Sequence, residues 1–83
     1  MKINPDVIVE EVEDGFVIIN PLTGQIRVLN KTGSFIWALL ADGKSVADIP
    51  EHLVNSYGLT IEQATADVEV FILDLHNRDL LTQ

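Results

Sequence analysis

Eighty-three residues suffice for one domain, read here over residues 1–83, yet a chain this short buries only about 60–65% of the surface its unfolded form exposes, so its core has to be compact. The absence of cysteine excludes disulfides, thiolate zinc sites and cysteine nucleophiles. Five basic residues against thirteen acidic ones leave a formal charge of −8, which repels phosphate backbones and anionic membranes and suits a basic or neutral partner.

The front of the chain reads as strands. Val7-Ile8-Val9 opens a β-branched run that reaches Val12, and Glu13-Asp14-Gly15 then supplies a hairpin turn. Phe16-Val17-Ile18-Ile19 is apolar at every position, the pattern of a central strand over residues 16–20 covered on both faces at least in part. Asn20-Pro21-Leu22-Thr23-Gly24 makes a second turn, and Gln25-Ile26-Arg27-Val28-Leu29 alternates polar and apolar until its end. Two short connections imply an antiparallel meander of strands 7–12, 16–20 and 25–29, with the third strand at an edge.

The back of the chain reads as helices over about 31–41, 46–56 and 61–77. Asn30 is the expected N-cap of the first, which places Ile36, Leu39 and Leu40 at helical spacing with the single tryptophan, Trp37, beside them. Gly33 is expected to let this helix approach the sheet closely, and Trp37 to fill the core. Asp42-Gly43 closes it. In the second, Pro50 requires a loose turn at 45–48 and firm helix only from 49, and Asp48 with Glu51 has capping-box spacing. In the third, Thr60 and Gln63 have the same spacing. Ala64, Val68, Phe71, Ile72 and Leu75 form one apolar stripe, while Ala66, Val70 and Leu73 fall nearly opposite. That second stripe is read as packing on the other helices or between two copies, in preference to a ligand surface. Helical rotation sets Asp67, Asp74 and Arg78 on a flank beside Phe71.

Catalytic constellations are scarce. His52 and His76 have no paired nucleophile and read as solvent-facing. Ser34, Ser45 and Ser56 stand at caps or in helices, outside any nucleophile elbow. Glu10, Glu11, Glu13 and Asp14 straddle a hairpin and diverge, and no phosphate-binding glycine loop is present. The chain therefore reads as no enzyme and as needing no metal or cofactor. No apolar run approaches the roughly 20 residues of a membrane span. MKINPDV also lacks the apolar core of a signal peptide, so a cytoplasmic location is expected.

What remains is a binding module. Edge strands usually carry proline, lysine or a cover, and Gln25, Ile26, Arg27, Val28 and Leu29 include only one charge and neither of those residues. With the third helix alongside, a groove forms. An extended peptide can add there as a fourth strand, against Asp67, Val68, Phe71, Asp74 and Leu75. Its side chains would enter pockets lined by Val28, Leu29, Phe71 and Leu75, and Asp67 and Asp74 would attract its basic residues. Two other readings stand beside this one. The element order permits a winged-helix DNA-binding domain, although neither the second nor the third helix carries a basic stripe. The edge strand, or Val70 and Leu73, could join a homodimer.

The order VLNKTGSFIWALLADGKSVADI, LVNSYGLTIEQATADVEVFILDL and a closing Leu80-Leu81 resembles the PqqD-like fold, the leader-recognition domains of ribosomally made, modified peptides. The L-N-x-T-G-x-x-I-W portion looks most like the small standalone recognition proteins of lasso peptide clusters. The resemblance covers about Val7 to Leu81, with Asp79 standing where such domains place a small flexible residue and Pro50 unusual in the second helix. It implies an α+β fold of three antiparallel strands and three helices, winged-helix-like. It also implies that a precursor's leader, carrying Tyr, Pro and Leu, binds beside the third strand against the third helix. The leader then passes to a transglutaminase-like leader peptidase, after which a cyclase acts. The same fold also serves as a peptide chaperone for a radical enzyme in quinone cofactor synthesis.

Overall fold

The structure is a computed structural model, and it describes residues 2–82. The chain forms β1 (Lys2–Ile3), β2 (Ile8–Val12), β3 (Gly15–Asn20), β4 (Gln25–Leu29), α1 (Lys31–Ala41), a 3₁₀ turn (Val46–Asp48), α2 (Ile49–Tyr57), α3 (Ile61–Asn77) and β5 (Leu81–Thr82). The fold is α+β: β2, β3 and β4 make an antiparallel sheet in that order, and three helices follow. The predicted meander and helices are all present. The strands β1 and β5 were not anticipated. They pair antiparallel as a separate two-stranded sheet, Ile3 opposite Leu81, and clasp the two ends of the chain together. Two-residue strands are too short to show a period-2 pattern, and their partners lie almost the whole chain apart.

Helix starts follow side-chain chemistry. Asn30 Oδ1 accepts from the Gly33 N–H at 2.8 Å, and Thr60 Oγ1 from the Gln63 N–H at 3.1 Å, each satisfying a donor that the first turn leaves free. Ser45 caps the 3₁₀ turn through the Ala47 N–H, at 3.3 Å. Asp48 stands at the head of α2 with Pro50 in its first turn, but its side chain makes no cap hydrogen bond, so that part of the expected box does not form.

The helices pack on one face of the sheet only. Ile18, Leu29, Ile36, Trp37, Ile49, Leu53, Val68, Ile72, Leu75, Leu80 and Leu81 are buried together in a single core. In β3 the inward residues are Phe16, Ile18 and Asn20, and on the opposite face Val17 and Ile19 are only half-buried. The expected cover is thus unequal: the all-apolar run is central, one face is closed by the core, and the other is only half-buried, with no helix of the described residues packed on it. Ile8, Val12, Ile26 and Val28 are exposed on that same outer face.

Two residues lock the junctions that hold the sheet. Ser34 is buried, and its hydroxyl accepts from the Phe16 N–H at 3.0 Å and donates to the Leu29 carbonyl at 3.4 Å, joining α1 to both β3 and β4. Gly15 makes this approach possible. At φ +152° it adopts a backbone that side chains disfavour, and a Cβ there would stand 2.7 Å from the Leu29 carbonyl and against the Ser34 hydroxyl. Asn20 is also buried. It donates to the Asp79 carbonyl at 3.1 Å and accepts from the Leu22 N–H at 3.0 Å. Asp79 has φ +58°, the left-handed conformation that a small residue adopts most cheaply and that Asp tolerates.

Candidate functional site

β4 is an edge of its sheet, since among the described residues only β3 pairs with it. Its inward residues follow the register: Arg27 lies opposite Ile18, and Leu29 opposite Phe16. The Val28 carbonyl accepts from the Arg27 side chain at 2.8 Å, on the side away from β3. In an antiparallel ladder the N–H and carbonyl of one residue point the same way, and residues two apart point alike. The main-chain groups of Val28 and Ile26 therefore face the free edge.

Beside that edge runs an open groove of about 600 Å³ between the β4–α1 junction and α3. Arg27, Val28, Leu29 and Asn30 form one wall, Thr32, Gly33 and Ile36 the floor along α1, and Asp67, Val70, Phe71 and Asp74 the α3 wall. Gly33 admits the Phe71 ring: a Cβ on it would sit 3.0 Å from Phe71 Cε1. The expected role for this glycine is corrected. It lets α1 accept a side chain of α3, and close approach to the sheet is instead the work of Gly15 and Ser34.

The groove's charge is organised around Asp74. Arg27 Nε donates to Oδ2 at 2.7 Å and Arg78 Nε to Oδ1 at 3.0 Å, so one carboxylate ties β4 to α3 and to its own helix end. Desolvation alone would raise the Asp74 pKa, but the hydrogen bonds and charges of Arg27 and Arg78 outweigh it and hold the carboxyl below its ordinary 3.8. Of the two carboxylates expected to attract basic residues of a ligand, Asp74 is thus the one whose charge is already compensated. Asp67 accepts only from the Gln63 side-chain amide, at 3.2 Å, and keeps its charge for other partners.

Of the residues expected to bind, Arg27, Val28, Leu29, Asp67, Phe71 and Asp74 meet at the groove. Gln25 and Ile26 lie on the same edge, before the groove begins, both exposed. Val68 and Leu75 are corrected: they are 2% and 0% exposed, turned into the core, because the stripe that buries α3 is centred on Ala64, Val68, Ile72 and Leu75 and leaves Phe71 at its border. Val70 and Leu73, expected to pack on the other helices or between two copies, are 70% and 60% exposed: they do not pack on the helices, which leaves the contact between copies, and Val70 also lines the groove. Val70 lies three residues after Asp67 and four before Asp74, so the flank that carries those two carboxylates carries it too. Asn30, Thr32, Gly33 and Ile36 were missed because they come from the helix start, which only folding brings opposite α3.

Elsewhere the described residues hold no cluster of His, Asp and Glu able to bind a metal ion, and no helix long and apolar enough to cross a membrane. His76 is half-buried, and its Nδ1 is buried without a partner, contrary to the solvent-facing expectation.

Comparison with known proteins matches this geometry. No curated protein matches the chain. Among solved structures, TbiB1 in complex with the TbiA(beta) leader peptide superposes with a TM-score of 0.92 at 31% identity, over 98% of this chain and 94% of that one. A lasso peptide synthetase B1 complexed with the leader peptide superposes with a TM-score of 0.89 at 24% identity, over 99% and 96%. The family of coenzyme PQQ synthesis protein D (PqqD) matches residues 15–81. With the β-meander, the three helices and the open β4 edge in place, the chain belongs to the PqqD family.

Proposed function

We propose that this chain binds the leader of a ribosomally made precursor peptide by strand addition at β4, against α3, and presents it to a leader peptidase in lasso peptide biosynthesis. The observation that carries the reading is the free edge of Ile26 and Val28 opening directly onto a groove walled by Val70 and Phe71. Main-chain pairing along that edge supplies affinity that is independent of sequence, and the groove beside it supplies selection through alternate side chains. TbiB1, 31% identical over nearly its whole length, is a protein whose structure holds a leader peptide, and that supports the choice of ligand. The role is non-catalytic, and the peptidase and cyclase are separate proteins. The family's own description supports a second pathway, in which the peptide is presented to a radical enzyme of quinone cofactor synthesis. The neighbouring reading frames separate the two. A nucleic-acid role is disfavoured by the formal charge of −8 and by α3, whose groove side carries Asp67.

The test is fluorescence polarisation with the labelled leader of the precursor encoded beside this gene. Wild-type protein is expected to bind, and Val28→Pro, which removes an N–H from the free edge where proline is otherwise tolerated, to weaken binding at least tenfold. Phe71→Ala is expected to do the same by opening the groove wall. Undiminished binding by both variants, each shown folded by thermal melting, would overturn strand addition at this edge. Sedimentation over a concentration series decides whether two copies pair through the same edge in the absence of peptide.

A further inference from the structure

One carboxylate, Asp74, holds two guanidiniums, Arg27 from β4 and Arg78 from the end of α3. Arg27 and Asp74 line the groove and Arg78 stands just beyond it, so the trio keeps a unit of positive charge at this end, on a molecule whose formal charge is −8 and which has only five basic residues in all. Each arginine spends its Nε on Asp74. Their side chains are 34% and 39% exposed, so their Nη groups reach solvent. One of these groups, Arg27 Nη1, holds the Val28 carbonyl, an acceptor on the free edge. A strand added at β4 brings an N–H to that carbonyl and displaces Nη1 as it arrives. Each Asp74 oxygen already accepts one guanidinium N–H, and the released Nη1 donor is open to a carboxylate of the peptide.

From this we infer that Arg27 and Arg78 form a carboxylate-reading subsite for the bound peptide. An Asp or Glu of that peptide, lying beside the Val28 main chain on the α3 side, accepts from the free Nη groups. It brings the cluster to two positive and two negative charges, in the forked geometry that guanidinium offers to carboxylate. Asp67, about two turns back along α3, excludes an acidic side chain from the opposite end of the groove, so the two ends differ in sign. The inference rests on the peptide-binding reading and adds a position that selects for negative charge to a groove whose other end, at Asp67, selects against it.

A double-mutant cycle tests it, with the fluorescein-labelled leader of the neighbouring precursor as probe. Each Asp and Glu of the leader is changed in turn to Asn or Gln, and each peptide is titrated against wild-type protein and Arg78→Gln. Asp74 keeps Arg27 in that variant. Where Arg78→Gln melts early, Arg78→Lys, which keeps the charge and loses the fork, takes its place. The expected result is one acidic position that costs about tenfold in affinity with wild-type protein and little further with the variant. If the leader binds but no acidic position couples to Arg78, or if its bound segment has no acidic residue, the inference is overturned and peptide binding stands. A leader that fails to bind wild-type protein overturns the peptide-binding reading itself, and the inference with it.

Discussion

Ser34 and Gly33 are neighbours in sequence with opposite duties. The Ser34 hydroxyl points to the sheet and bridges Phe16 and Leu29, whereas the missing side chain of Gly33 leaves a space that the Phe71 ring fills. The first sets where α1 stands, and the second sets how far α3 closes over it. Gly33→Ala probes the second duty, leaving Ser34 in place, although its Cβ also comes within 3.3 Å of the Asn30 cap oxygen. Its methyl would meet Phe71 Cε1 at 3.0 Å, and the half-buried ring can yield only toward the groove. Alanine's helix propensity, better than glycine's by about 1 kcal/mol, offsets most of the contact cost. Stability by urea titration is therefore expected to change little, while leader affinity falls about fivefold, or ~1 kcal/mol.

At the scale of elements, β4 and α3 are joined at their margin by an ion pair, with the core beneath. The Asp74 carboxyl is held below its ordinary value by Arg27 and Arg78, so its ionised form stabilises the folded chain. The contribution is present in full above about pH 4, the range of an unfolded aspartate, and is lost as pH falls through the lower folded value. Both pairs are about a third exposed, and each contributes less than ~1 kcal/mol. Asp74→Asn is expected to lower the melting temperature at neutral pH, and the gap from wild type to shrink on acidification below about pH 4. A gap constant across that range would show that the arginines do not favour the charged form. The two edges of the sheet also differ. β2 carries Glu10 and Glu11, exposed charges that discourage a further strand, while the one charge of β4 is turned to α3. That difference favours β4 for the strand addition proposed above.

The whole molecule is a sheet with helices on one side, 19 Å across its thinnest dimension, and its ends are bound to each other. Leu80 and Leu81 sit in the core, and Asn4 and Asn20 both donate to the Asp79 carbonyl, so the clasp of β1 and β5 belongs to the same cooperative unit. Leu80→Ala should cost about 2–5 kcal/mol, a large share of the stability of a domain this small. Its melting temperature is expected to fall by roughly 10 °C or more. Trp37, the single tryptophan, is 3% exposed and reports on the core from α1. Its fluorescence and far-ultraviolet dichroism should follow one transition, in wild type and variant alike. A separate early transition in the variant would show the clasp unfolding on its own.

Local chemistry was enough for most of the secondary structure. The caps at Asn30 and Thr60, the turns at Glu13-Asp14 and Pro21 to Gly24, and the buried stripe of α3 are each decided by residues within a few positions of one another, and they read directly from the chain. The open edge at β4 was legible for the same reason, as was the flank carrying Asp67 and Asp74. The clasp, the seat of Phe71 against Gly33, the bridge at Ser34 and the two arginines on Asp74 join residues up to 80 positions apart. Periodicity says which face of a helix is apolar, but not which neighbour meets its border. That is why the pattern sets Val68 and Leu75 at the groove and leaves Val70 between packing on the other helices and a contact of two copies. Composition and pattern by themselves determined an acidic, cysteine-free α+β chain with a strand left unpaired. Only packing, by setting the angle of α1 between sheet and α3, decided which side chains line the groove beside that strand and which of its charges are already spent.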